Sequence, residues 1–194
     1  TMKISSMPLL AGMLAATMTL SAWAEAPAAD APAAAATASD APLQQVRDKF
    51  FSTWEAHGNF YAVDPKKLLF QGSFEGMMFT EDGGGLMDGA DIVCAVTQEF
   101  DLTSNATQAV GKCSIDVSDD DTIYARFDCE GQPGMCDGEF TLVGGTGIFA
   151  NISGGGNYRS RTQLAELAAQ LGSNAVVGSA EGIAVWSSVK TCLK

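Results

Sequence analysis

From Leu68 onward, apolar and polar side chains alternate with a period of two. In 68–79 the even positions are Leu68, Phe70, Gly72, Phe74, Gly76 and Met78, set against Gln71, Ser73 and Glu75. In 90–102, Ile92, Cys94, Val96, Phe100 and Leu102 share a face opposite Asp91, Thr97, Glu99 and Asp101. Ala109, Gly111, Cys113, Ile115 and Val117 repeat the pattern. So do Ile123, Ala125, Phe127 and Cys129, and then Phe140 and Leu142. One apolar and one polar face, repeated this often, predicts antiparallel strands with a single covered side. The intervening segments are turn chemistry: Glu81 to Gly85, Thr103-Ser104-Asn105, Ser118 to Asp121, and Gly131 to Gly134. Strands at 148–158, at 176–187 and near Phe60 to Val63 bring the total to about eight. Sequential strands joined by short turns close most simply into a small up-and-down barrel, with a two-sheet sandwich as the alternative.

Two segments break the period. In 42–56, Pro42 stands just after Asp40, and Leu43, Val46, Phe50 and Trp54 fall on one helical face, which predicts an amphipathic N-terminal helix. Ser160-x-x-Gln163 has the form of a capping box. Leu164, Leu167, Ala168 and Leu171 follow on one face up to Gly172, which predicts a second helix before the last strand.

The first part of the chain is addressed differently. Lys3, the apolar run Ile4 to Leu20 and Ala22-Trp23-Ala24 read as a secretory signal peptide over 1–24, cut after Ala24. The run is short and is broken by Pro8, Ser and Thr, so it predicts no membrane span in the mature protein. Residues 25–42 hold only Ala, Pro, Asp, Glu, Ser and Thr, the composition of a disordered tether. One folded domain is expected over 43–194. An exported bacterial protein of the periplasm or the exterior is the implied setting.

Charge narrows the partners. The chain carries a net −12 and has no basic cluster, which argues against nucleic acid and anionic membrane surfaces.

The five cysteines then meet an oxidising compartment. There is no CxxC, and His57 is the single histidine, so redox, haem and zinc readings fall away and no metal or cofactor is expected. Cys94 and Cys113 lie symmetrically about the turn near Asn105 and predict a cross-strand disulfide. Cys129 and Cys136 bracket a turn and predict a second, leaving Cys192 unpaired. Asp116 with Asp119, Asp120 and Asp121 does not meet a calcium loop: the sixth and twelfth positions hold Asp121 and Phe127.

Gly145-x-Gly147-x-x-Ala150 has the spacing of a dinucleotide-binding turn. Such a turn needs a buried parallel strand before it and a helix directly after it. The strand before it alternates, and Ile148 to Ser153 is no helix start, so Gly144, Gly145 and Gly147 read instead as a tight hairpin turn, a structural one, with positive-φ positions. Gly154 to Gly156 would bend the next strand.

The run Gly-Glu-Phe-Thr-Leu-Val-Gly-Gly-Thr-Gly-Ile-Phe over 138–149, with the Gly-rich strand after it, resembles the hairpin of allene oxide cyclase-like and dirigent-like barrels. The Cys129…Cys136-Asp-Gly-Glu-Phe-Thr run and Val177 to Trp186 are most similar to exported bacterial members of that group without assigned activity. The resemblance covers roughly two-thirds of the chain. It implies a barrel that holds an apolar ligand, and some members of the group steer a cyclisation or a radical coupling. The catalytic positions of the plant enzymes match no residue of this chain, so no catalytic role carries over. Glu181, among Val177, Ser179, Ile183 and Val185, is the one weak candidate for acid–base work, and only if it points inward; an outward, ordinary Glu is the simpler reading. Two functions follow as expectations: binding of an apolar or amphipathic small molecule, or a structural role, in the cell envelope; or, as the alternative, an isomerase or cyclase working inside the barrel.

Overall fold

The computed structural model describes residues 44–163 and 180–193. The signal peptide expected over 1–24 and the tether expected over 25–42 lie outside the described residues. Eight strands follow one another: β1 (Gln44–Asp64), β2 (Lys67–Thr80), β3 (Asp91–Asp101), β4 (Ala106–Asp116), β5 (Thr122–Gln132), β6 (Met135–Gly145), β7 (Ser153–Thr162) and β8 (Ala180–Leu193). Each pairs antiparallel with the next, and β1 pairs with β8, so the sheet is a closed up-and-down barrel rather than a sandwich.

The period-two pattern is carried by the burial of each strand. Ile92, Cys94, Val96 and Phe100 of β3, and Ile123, Ala125, Phe127 and Cys129 of β5, are buried, while the side chains between them face solvent. Closure leaves no free edge, so every strand finds two hydrogen-bonding neighbours.

The predicted N-terminal helix is a strand. Val46, Phe50 and Trp54 are four residues apart, a spacing that fits one face of a helix and one face of a strand equally. The residues between them decide the matter. Ser52 and Ala56 are buried along with Phe50 and Trp54, whereas Phe51 and Thr53 are exposed, a strict alternation. Ser52 is a polar residue on the inner face. It is tolerated there because its hydroxyl donates to the Thr53 carbonyl at 2.8 Å. β1 also absorbs the short strand expected near Phe60 to Val63. The capping box is likewise overturned: Ser160 and Thr162 belong to β7, with Ser160 opposite Ala184. The body of that predicted helix, Leu164 to Gly172, lies outside the described residues. The one helical element among the described residues is a 3-10 turn, Gly147–Phe149.

The two ends of the barrel differ. At the end with the 81–90, 117–121 and 146–152 connections, Met78, Met87, Ile115, Ile123, Leu142 and Phe149 are fully or almost fully buried and fill the lumen. Thr80 anchors the 81–90 loop: its hydroxyl donates to the Gly84 carbonyl and its backbone N–H donates to the Asp88 carboxylate. At the opposite end, Phe60 packs on Phe70 and Phe100 with ring centroids 5.3 and 5.8 Å apart, and the three fill the side under β1 to β3.

Candidate functional site

The remaining space inside the barrel is a partly open cavity. Its wall is built by the inward positions of β1 to β8. Trp54, Phe74, Phe127, Phe140, Tyr158 and Trp186 supply the aromatic surface. Trp54 stacks on Phe74 at 4.8 Å, Tyr158 on Trp186 at 5.9 Å, and Phe140 meets Trp186 edge-on at 5.4 Å. Gln132, Gly134, Met135 and Thr162 line the cavity at the end that carries the β5–β6 turn. The side chains that fill the other end do not line it.

Large rings fit here because small residues face them. The Trp54 indole lies over Gly182 of β8, where a Cβ would come within 2.2 Å of Cζ2. Ala184 and Ala109 also line the cavity. The sequence thus pairs large with small side chains across neighbouring strands, which leaves a lumen instead of a filled core.

Three buried donors in this wall have no hydrogen-bond partner among the described residues: Trp54 Nε1, Trp186 Nε1 and Tyr158 Oη. A buried polar group without a partner costs roughly 1–3 kcal/mol, so three in one wall call for an explanation. Gln98, also in the wall, is satisfied: its Nε2 donates to Thr107 Oγ1 at 2.9 Å, and Thr107 donates on to the Glu99 carbonyl. Tyr158 is the one titratable side chain among the described lining residues. Burial first, and the Asp128 carboxylate second, push its phenol above the ordinary range. It stays a neutral donor.

Both disulfides expected from the cysteine spacing are present, Cys94–Cys113 and Cys129–Cys136, and all four cysteines line the cavity. Cys94 stands directly opposite Cys113, and the β3–β4 hairpin turns where Asn105 takes a positive φ of 55°. Cys192 is free and half-buried.

Glu181 is exposed. Its strand neighbours Ala180, Gly182 and Ala184 occupy the inward phase, so the carboxylate stands outside the barrel, opposite Glu55. His57 stands on the outer face of β1, its Nε2 3.8 Å from Glu55.

The Gly144-Gly145-Thr146-Gly147 segment runs from the end of β6 into the 3-10 turn. Gly144 and Gly147 have φ of 144° and 52°; Gly145 does not share the positive φ. Asp121 Oδ1 accepts the Ile148 N–H at 2.9 Å, and Ser118 donates to the other oxygen. A carboxylate therefore occupies the place where a nucleotide turn would offer its backbone N–H to a phosphate, and it repels one. Gly154 and Gly155 take φ of 135° and 146° where the β7–β8 register shifts. Among the described residues, no group of acidic, His or Cys side chains is arranged to hold a metal ion.

Sequence reasoning missed Ser52 and Trp54 as wall residues, because 42–56 read as a helix, and it did not single out Tyr158. The available signal was phase: Trp186 shares a face with Ala180 and Ala184, and Tyr158 lies on the face opposite Asn157, Arg159 and Arg161.

No helix among the described residues is long and apolar enough to cross a membrane. The outer face also carries Lys112, Arg126 and Asp128 in mid-strand, whereas a membrane barrel presents an apolar band outward. No protein-family model matches the chain, and no curated protein matches it.

Proposed function

We propose that this chain is an exported binding protein whose barrel holds an apolar or amphipathic small molecule in the bacterial cell envelope. The observation that carries the reading is the aromatic cavity with three unpartnered buried donors. An apolar wall with a few convergent polar groups is the usual chemistry of a small-molecule site. The ligand class that suits it has an apolar body and at least one oxygen acceptor for Trp54, Tyr158 or Trp186. The two disulfides and the leader-like start support export. The resemblance to allene oxide cyclase-like barrels supports the same reading.

A cyclase or isomerase would require an acid or base facing the ligand. Glu181 faces outward, and burial raises the Tyr158 phenol, which makes it a poor acid and keeps it from acting as a base near neutral pH, so the cavity favours binding over proton transfer. Trp54 and Trp186 make a direct test possible, because cleavage after Ala24 would remove Trp23 and leave all indole emission in the cavity wall. Titration of the mature protein with an apolar fluorescent probe should quench that emission saturably at one probe per chain. Ala184→Leu, which fills the lumen, should abolish it. Non-saturable quenching, or quenching indifferent to Ala184→Leu, would leave a structural role in the envelope as the better account.

A further inference from the structure

The cavity wall is uncharged. Among the described residues that line it there is no Asp, Glu, Lys, Arg or His. The charges near Tyr158 stand on the outer face instead. Tyr158 lies between Asn157 and Arg159 on β7, and both of those are exposed. The Arg159 guanidinium is already held by both carboxylate oxygens of Asp137 on β6. Asp128 and Glu139 stand directly opposite each other on β5 and β6, and Glu139 stands opposite Asn157. The Asp128 carboxylate acts on Tyr158 as a field that opposes negative charge on the phenol oxygen.

The unpartnered buried polar atoms of the wall are of one kind. Trp54 Nε1, Trp186 Nε1 and Tyr158 Oη all have a hydrogen to give, and an indole N–H can only donate. Ser52 and Gln98 already spend donors on the Thr53 carbonyl and the Thr107 hydroxyl. Each class of ligand can be judged against this wall. A cation could lie on the aromatic faces, but it leaves every donor unpartnered and meets the positive ends of their dipoles. An anion finds donors but no counter-charge, and it enters against the field of Asp128 and of a chain at net −12. A neutral oxygen acceptor pairs with a donor and brings no charge to desolvate.

We infer that the cavity selects a neutral ligand whose polar part only accepts hydrogen bonds, a carbonyl compound on an apolar skeleton, and rejects both the carboxylate and the quaternary ammonium of the same skeleton. The inference rests on the binding function proposed above and narrows its ligand class. The uncharged lining sets the rejection of ions. Tyr158, with the two indoles, sets the preference for a carbonyl over a bare hydrocarbon.

Calorimetric titration of the mature protein at neutral pH with probes of one skeleton tests this. The probes are naphthalene, naphthyl methyl ketone, naphthoate and naphthyltrimethylammonium. The ketone and the carboxylate have nearly the same shape and differ in charge. The ketone should bind about tenfold more tightly than naphthalene, the gain from about one buried hydrogen bond. Naphthoate and the ammonium should bind at least about 100-fold more weakly than the ketone, because each ion enters a wall without a counter-charge. Tyr158→Phe should narrow the advantage of the ketone, while naphthalene, which uses the rings alone, binds as before and shows the cavity intact. Naphthoate or the ammonium bound within about tenfold of the ketone, with Ala184→Leu abolishing that binding, would overturn the inference and leave the binding function standing. So would a ketone advantage that Tyr158→Phe does not change. Binding of none of the probes would sink the binding function itself, and the inference with it.

Discussion

Tyr158 stacks on Trp186 with ring centroids 5.9 Å apart and planes 24° from parallel, and neither the phenol oxygen nor the indole nitrogen has a hydrogen-bond partner among the described residues. The pair is stable as apolar surface and frustrated as polar surface. That tension is what a ligand acceptor would relieve.

Removing the hydroxyl separates the two roles. Tyr158→Phe keeps the ring and deletes the unpartnered group, so the empty protein should gain stability, by about 1 kcal/mol, in urea denaturation. Ligand affinity should fall at the same time. A loss of stability would mean that the hydroxyl has a partner and that the frustration is not real.

The same residue sets a pH limit. The folded chain holds the phenol above its ordinary value of 10.0, through burial first and Asp128 second. Above that value the unfolded chain gives up a proton that the folded chain keeps, so stability is full below about pH 10 and falls as pH rises further. Tyr158→Phe should flatten that alkaline slope. An identical slope in the variant would assign it to other groups.

The disulfides close short loops, with sequence separations of 19 and 7. Chain-entropy arguments give about 3 kcal/mol for the first and about 2 kcal/mol for the second. Non-reducing peptide mapping should find 94–113 and 129–136, and alkylation should label Cys192 alone. Paired Ala replacements should lower the urea midpoint, the 94–113 pair by more. A bond from Cys192 to any of the other four would contradict the register.

Gly147 should tolerate no side chain. Its φ is 52°, and a Cβ would lie within 1.9 Å of Asp121 Oδ1, the atom that holds the Ile148 N–H. Gly147→Val should cost roughly 1–3 kcal/mol from the backbone conformation alone. Added nucleotide should leave that cost unchanged; saturable nucleotide binding would return the glycines to a ligand role.

The barrel was legible wherever alternation ran unbroken, as from Ile92 to Phe100. Closure keeps one face of every strand dry, and the period records it. β1 was not legible, because Val46, Phe50 and Trp54 recur at a spacing that suits a strand and a helix alike, and because the buried Ser52 breaks the apolar count. The Cys94–Cys113 pair could be found by counting outward from the turn, since hairpin register is local. The cavity could not. Its wall takes residues from all eight strands, and whether Trp54 lies over Gly182 depends on the contact between β1 and β8, the first and last strands of the barrel. The outward placement of Glu181 rests on the same pairing, since both phases of its segment are partly apolar.

The most direct test of the binding proposal is the mass of the mature protein purified without denaturation from its native host, measured by native mass spectrometry and then again after unfolding. The account predicts an adduct of one apolar or amphipathic small molecule per chain in the folded protein. The adduct should be released on unfolding and absent from Ala184→Leu. A folded wild type at the bare polypeptide mass, unaltered by a panel of apolar oxygen-bearing compounds, would contradict it.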